Sequence, residues 1–356
     1  MHSLLIEKPL SALHVWVWIP VPLGTSQELV HSVEHRIFLD SKIAALEDET
    51  VRHNGMTFWS GIRLEFTIPP ARFGELKSAL AELFKKPLPK MSFEERERFA
   101  RELEEGGGDS FDRALDRFRS AFSEANGFEH SGKDEDAIWA SLDFDSARLL
   151  AVGDLEKSQR GIAGSGGDPV FRPIWSPSPR PDLVFPTLKE ELADKPEDDD
   201  GYGLGDSDPG MDYVLVFPSI VEDARDFAFH ALFLQHVRIR TDIDFRDTGR
   251  TYDPIVEDYF EDGFAVSGIH LITSDASKKL PALPKKPSEK EFLKTRDSLA
   301  FQNAIFVDQL LYGSYPVLGI PPEDALSAIE SYPYADFSER FDRAVARVSL
   351  FWGIGG

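Results

Sequence analysis

A segment rich in Gly, Pro, Ser and Asp, at residues 163–209, divides this 356-residue sequence into two parts. It contains the runs GSGGDP, SPSPRP and PEDDDGYGLGDSDP, which interrupt helices and strands and are typical of a linker. A chain of this length is long enough to form more than one hydrophobic core. We therefore predict an N-terminal domain at residues 1–162 and a C-terminal domain at residues 210–356.

The apolar patterns on the two sides of this linker are similar. Residues 14–23 (HVWVWIPVPL) read as a strand, a helical pattern follows from Thr25 as a candidate N-cap, and residues 62–68 (IRLEFTI) alternate with the period of a strand. Residues 213–218 (YVLVFP) and 264–272 are predicted strands of the second part, with a helix between them. This shared order predicts an α+β protein with two similar domains that arose by duplication.

Other predicted elements complete each half. Helices are expected at residues 72–85, 92–106, 111–122, 222–237, 289–311 and 322–339, and strands at residues 147–155 and 347–352, with one short strand at 183–185 inside the linker.

The composition limits the possible partners and ligands. The sequence has 39 basic and 62 acidic residues, and its formal charge of −23 argues against nucleic acid and anionic membranes as partners. No apolar run approaches the roughly 20 residues of a membrane helix, and residues 1–10 do not resemble a signal peptide, so we expect a cytoplasmic protein. Cys is absent, so any metal must be bound by His and carboxylates.

One short motif combines these ligand types. His31 and His35 are four residues apart in a predicted helix, so both imidazoles can reach one metal ion, with Glu34 beside them. A catalytic zinc site needs three protein ligands and a free general base, which makes Glu34 the base and requires another ligand. Glu102 is the candidate, on a helix where it lies about two turns from Glu95. The alternative is that H-x-x-E-H is only a polar helix edge facing solvent.

The residues around this motif resemble the pitrilysin family of metallopeptidases. In that family a Gly-Thr turn leads into the H-x-x-E-H helix, and an apolar residue and Phe follow closely; Gly24-Thr25 and Ile37-Phe38 take these places here. An Asn-Ala-x-Thr element then precedes a strand, and the sequence has Asn54, Gly55, Met56 and Thr57 before residue 62.

Matches also extend further along the chain. The family has two glutamates separated by six residues, as Glu95 and Glu102 are, and an apolar strand that ends in Gly-Asp, as at Gly153-Asp154. Its second domain has an Arg followed by Gly-Leu-x-Tyr; here Arg246 precedes Gly249-Arg250-Thr251-Tyr252, with an interval one residue shorter. The specific motifs are confined to residues 24–102, and the region between residues 102 and 153 is abbreviated, so the chain resembles a divergent, short member.

The resemblance implies a fold and a set of roles. Each domain would be an antiparallel sheet with helices packed on one face, and the two would enclose a cleft in which a peptide substrate adds as a strand beside Asn54, Gly55 and Thr57. One Zn²⁺ per chain would be bound by His31, His35 and Glu102. By the same resemblance, Glu34 would be the general base, Glu95 would steady a ligand histidine, and Arg246 and Tyr252 would stabilise the oxyanion.

Two other functions compete with a zinc endopeptidase. The chain could be a non-catalytic or partner-dependent subunit, because family members with one pair of domains often work as homodimers or as heterodimers with another pitrilysin-like chain. It could also be a peptide-binding protein without zinc. The peptide substrate itself is not encoded in any motif of the sequence.

Overall fold

The computed structural model describes residues 1–106, 110–128, 134–154, 182–192, 211–241, 243, 255–273, 284–305 and 315–354. Its strands are β1 (His2–Glu7), β2 (Leu13–Pro20), β3 (Arg52–Phe58), β4 (Gly61–Ile68), β5 (Arg148–Gly153), β6 (Lys189–Glu191), β7 (Met211–Ile220), β8 (Ile255–Glu261), β9 (Phe264–Thr273) and β10 (Ser349–Ile354). Its α-helices are α1 (Gln27–Phe38), α2 (Ser41–Ala44), α3 (Phe73–Leu83), α4 (Phe93–Gly106), α5 (Ser110–Ala125), α6 (Glu135–Ser141), α7 (Ala224–Thr241), α8 (Glu289–Ile305), α9 (Pro322–Ser331) and α10 (Tyr334–Ala346).

The chain forms two compact units that interleave along the sequence. The first unit comprises Met1–Leu103, Glu129–Ser178 and Val307–Pro322, and the second comprises Glu104–Phe128, Pro179–Phe306 and Glu323–Gly356. The predicted domain boundaries, at residues 162/163 and 209/210, lie outside the described residues and stay a prediction.

The described parts of the two units contain five-stranded sheets of the same topology. The strand order is β1-β5-β2-β4-β3 in the first sheet and β6-β10-β7-β9-β8 in the second. In each sheet the first strand pairs in parallel with its neighbour, and every other pairing is antiparallel. The predicted α+β class with two similar, antiparallel-rich sheets is therefore confirmed, and the shared topology agrees with a duplication.

Alternation along β2 and β4 builds the core of the first unit. One face of these strands carries Val15, Val17 and Leu64, which pack in one cluster with Val30 and Val33 of α1. Each fully buried aliphatic side chain contributes roughly 1.5–3 kcal/mol. This packing fixes one side of α1 against the sheet and leaves its histidines on another side.

The opposite face of this sheet is buried as well. Trp16 and Trp18 of β2 are buried on it, which explains why the run VWVWIP is apolar throughout instead of alternating with polar residues. On the same face, Arg148 of β5 donates hydrogen bonds from Nη1 to the carbonyl oxygens of Pro316 and Val317, at 3.0 and 2.6 Å.

Several element boundaries differ from the sequence prediction. Thr25 is not the cap of α1: its hydroxyl donates to the Pro22 carbonyl, and Ser26 precedes the helix. The helix expected at residues 322–339 is two helices, α9 and α10, because Pro333 has no N–H to continue the helical hydrogen bonds. The short strand of the linker is β6 and not residues 183–185, because residues 189–191 pair with β10.

No helix in the described ranges is both long enough and apolar enough to cross a lipid bilayer.

Candidate metal centre

His31 and His35 project from one side of α1, as their four-residue spacing predicts. Their Nε2 atoms lie 3.1 Å apart, and both side chains are partly exposed. Burial lowers the pKa of His31, the neighbouring His35 lowers it further, and Glu102 partly offsets both effects. A lowered pKa favours the neutral imidazole, which is the form that binds metal ions.

Glu102 of α4, the predicted third ligand, lies beside the two histidines. Its Oε1 lies 3.5 Å from His31 Nε2, and its Oε2 lies 3.4 Å from His35 Nε2. In a tetrahedral zinc site with ligands at about 2.0–2.1 Å, neighbouring ligand atoms are about 3.3–3.4 Å apart. The nitrogen–oxygen separations, one to each carboxylate oxygen of Glu102, lie close to these values. In the described part of the chain, His31, His35 and Glu102 form a group of side chains that could hold a metal ion.

Glu34 lies beside this group but in a different environment. Its carboxylate is buried, with Oε2 3.7 Å from His31 Nε2 and 3.4 Å from the Thr57 hydroxyl that donates to it. Burial raises the pKa of Glu34 to about 7, the negative charge of Glu102 also raises it, and the Thr57 hydrogen bond opposes them. A carboxyl group with a pKa near neutrality can both accept and release a proton at physiological pH.

Phe99 is a part of this centre that the sequence analysis missed. Its ring lies edge-on to the imidazoles of His31 and His35, with both centroid distances 5.1 Å. It precedes Glu102 by three residues, so one side of α4 presents both. The available signal was this spacing, because Phe99 is one of the few apolar residues in a mostly charged helix.

The predicted substrate-binding residues Asn54, Gly55 and Thr57 lie in β3. This strand is at the edge of the first sheet, and in the described structure it pairs with β4 on one side. Gly55 lies directly under Glu34, and a β-carbon at this position would overlap the Glu34 carboxylate. The Glu34 carboxylate and the sheet edge are therefore adjacent.

Glu95 is placed differently from Glu102. Its Oε2 accepts a hydrogen bond from the Ser92 backbone N–H at 2.6 Å, and its own N–H donates to the Ser92 hydroxyl at 3.2 Å. These bonds are a capping box at the start of α4 and lower the pKa of Glu95. The structure thus gives Glu95 a role in the helix cap, and its predicted role behind a ligand histidine stays untested.

Arg246 and Tyr252, predicted to act from the second domain, lie outside the described residues.

Known protein structures share this fold, although no family model and no curated protein sequence matches the chain. An M16-like protein from Alicyclobacillus acidocaldarius aligns with a TM-score of 0.63 and 10% identity, covering 99% of this chain and 96% of that one. An M16 inactive domain from Pseudomonas fluorescens has a TM-score of 0.60 and 12% identity, covering 99% and 95%.

Pitrilysin is also similar, with a TM-score of 0.56 and 13% identity, covering 99% of this chain and 43% of pitrilysin. The chain therefore has the fold of M16-like peptidases. The resemblance to the pitrilysin family is confirmed at the level of the fold.

Proposed function

We propose that this chain is a divergent member of the pitrilysin family and a zinc-dependent endopeptidase. The observation that carries the proposal is the group of His31, His35 and Glu102, in which the two Nε2 atoms are 3.1 Å apart and each lies within 3.5 Å of a Glu102 oxygen, close to the ligand separations of a tetrahedral zinc site. Two nitrogen ligands and one carboxylate are a ligand set of catalytic zinc, and they leave a fourth position for water or substrate.

Residues of the first unit have separate roles in the proposed peptide hydrolysis. When bound, zinc makes a water molecule more acidic and polarises a peptide carbonyl. Glu34 takes the proton from the attacking water on a carboxylate oxygen and passes it to the leaving amine, because its buried carboxylate lies beside His31 and can reach both partners. Thr57 orients the Glu34 carboxylate by donating a hydrogen bond from its hydroxyl.

The peptide would bind along β3. An edge strand presents unpaired backbone N–H and C=O groups, and an extended peptide can add to them as another strand. Asn54, Gly55 and Thr57 are on this edge next to Glu34, so a peptide bound there would pass close to the general base. Main-chain hydrogen bonds would account for binding of small or unfolded peptides without a strict sequence requirement.

Other roles are proposed from the resemblance alone. Arg246 and Tyr252 would stabilise the oxyanion and position the chain, and Glu95 would act behind a ligand histidine in addition to its capping bonds. A homodimer, a heterodimer with a similar chain, and a cytoplasmic location are also proposals.

A non-catalytic or partner-dependent subunit is the alternative. The similar domain from Pseudomonas fluorescens is described as inactive, so this fold does not by itself imply catalysis. In this chain the complete donor set and the buried Glu34 favour an enzyme. Light scattering coupled to size exclusion, with and without a candidate partner chain, separates a self-sufficient enzyme from a subunit that needs its partner.

The test is metal content and peptide cleavage in matched variants. We expect about one zinc per chain in wild type and its loss in His31→Ala and Glu102→Ala. His14→Ala should keep the zinc and is the control, because His14 belongs to the same unit but contacts Thr67 and Trp16. Glu34→Gln should keep zinc and lose cleavage of a quenched fluorescent peptide library. Zinc far below one equivalent and unaffected by His31→Ala contradicts the proposal.

A further inference from the structure

Arg36 is a buried arginine directly after the second histidine. Only 3% of its surface is exposed, although it is on a helix that also carries the partly exposed His31 and His35. A buried guanidinium is stable only when its charge and its N–H groups have partners. Those partners come from two other parts of the first unit.

The first set of partners is the loop that leads into α4. Arg36 Nε donates to the Pro89 carbonyl at 2.8 Å, and Nη2 donates to the Leu88 carbonyl at 3.2 Å. These carbonyls belong to the short loop between α3 and α4, and α4 begins at Phe93. Arg36 therefore ties the histidine helix to the start of the helix that supplies Glu102.

The second set of partners is the first turn of α6. Nη2 is 2.5 Å from Asp136 Oδ1 and Nη1 is 3.4 Å from Glu135 Oε2, so two carboxylates balance the buried charge. Ser32, one turn before Arg36, donates to the other oxygen of Glu135 at 2.7 Å. Ser32 directly follows His31, and Arg36 directly follows His35. Both residues thus hold α1 against α6.

We propose that Arg36 is a positioning residue for the metal centre. It fixes the loop before α4 against α1 and so sets the distance between Glu102 and the two histidines. Only the guanidinium fork can reach both carbonyls and both carboxylates at once, because it presents five N–H donors in one plane. A lysine has a single ammonium and can satisfy one side or the other. This inference rests on the proposed metal centre, but not on peptidase activity.

The first measurement needs no metal. In the metal-free full chain, hydrogen exchange of the α4 peptide at residues 93–106 should be at least about tenfold faster in Arg36→Met than in wild type, because the loop anchor is lost. Arg36→Lys should be intermediate. The matched control is Arg148→Met, since Arg148 is also buried in the first unit and also donates to two consecutive carbonyls, away from α4.

The second measurement is the affinity for Co²⁺, a probe whose visible absorption reports tetrahedral coordination. Removal of a group hydrogen-bonded to a metal ligand typically changes metal affinity by about 10- to 100-fold, and Arg36 acts one step further away, through the loop before α4, so the lower part of this range applies. We expect a loss in this range for Arg36→Met, an intermediate loss for Arg36→Lys, and less than about twofold for Arg148→Met. Equal losses in Arg36→Met and Arg148→Met would show a general effect of stability and overturn the proposal.

A milder variant covers the case in which Arg36→Met does not fold. The Asp136 side chain is 57% exposed, so Asp136→Asn should fold while removing one charge that orients the guanidinium. It should speed α4 exchange roughly threefold, and unchanged exchange contradicts the positioning role. A wild-type chain that binds Co²⁺ but cleaves no peptide contradicts the peptidase proposal alone, because the α4 measurement still decides the role of Arg36.

Discussion

The carboxylate of Glu34 occupies the space that a side chain at Gly55 would fill. A β-carbon built on Gly55 overlaps Glu34 Oε1 and the carboxyl carbon, and its nearest three atoms all belong to Glu34. The helix α1 and the edge strand β3 can approach this closely only because residue 55 has no side chain. The position of Glu34, which we propose as the general base, thus depends on a residue of the strand on which we propose the peptide to bind.

Gly55→Ala should displace Glu34 and impair catalysis while keeping the metal. Forcing a methyl group into a filled site costs roughly 1–3 kcal/mol, and part of this cost is relieved when Glu34 rotates away. We expect kcat for peptide cleavage to fall at least about tenfold, with zinc content unchanged. Gly353→Ala is the control, because the nearest atom to a β-carbon there is 3.4 Å away, an ordinary contact. Wild-type kcat in Gly55→Ala would contradict this account of Glu34.

Phe99→Ala should weaken metal binding. The Phe99 ring packs edge-on against the imidazoles of His31 and His35, and such aromatic contacts contribute about 0.5–1.5 kcal/mol each. Freeing both rings should therefore lower the affinity for Zn²⁺ roughly tenfold, measured by competition with a chromophoric chelator. Phe93→Ala on the same helix is the matched control, since that side chain is 68% exposed. Equal affinities in the two variants would exclude a positioning role for Phe99.

Glu95 variants distinguish a helix cap from a role at the metal centre. Gln can replace Glu in a capping box, so Glu95→Gln should keep both stability and zinc affinity. Glu95→Ala should lower thermal stability slightly and leave zinc affinity unchanged, because the observed bonds of its carboxylate are to Ser92. A marked loss of zinc affinity in Glu95→Gln would instead support the role that the resemblance implies.

Asp40 should make the free energy of unfolding depend on pH under acidic conditions. Its buried carboxylate accepts hydrogen bonds from the N–H groups of Lys42 and Ile43 and pairs with Lys86 at 2.7 Å. Burial alone would raise the pKa of Asp40, but these partners outweigh it and hold the pKa below its usual value.

Because the folded-state pKa is the lower one, the stabilisation is complete above the unfolded-state pKa of about 4 and is lost as the pH falls through the folded-state pKa. Asp40→Asn should therefore be less stable than wild type by roughly 1 kcal/mol at pH 7, and the difference should shrink below about pH 4. Urea denaturation of both proteins from pH 7 to pH 3 measures this. A difference that stays constant over the whole range would contradict the pKa shift.

The parts of the fold that follow a local pattern were predictable. The alternation in β4 and the H-x-x-E-H spacing in α1 reflect neighbours within a few residues, and both elements form where expected. The strand β3 (RHNGMTF) was not predicted as a strand, because an edge strand with polar residues shows no clear alternation. The division of the long C-terminal helix at Pro333 was predictable in principle from the missing N–H.

The sequence by itself determined which side chains α1 presents together, His31, Glu34 and His35, because helical geometry is set by hydrogen bonds between residues four apart. The resemblance pointed to Glu102, but only the tertiary structure brings Glu102 and Phe99 against those histidines and joins α1 to the loop before α4 through Arg36. The tertiary structure also decided that Glu34 is buried over Gly55, which raises its pKa. These contacts join segments far apart in the chain, and their free energy depends on the packing of whole surfaces instead of on local spacing.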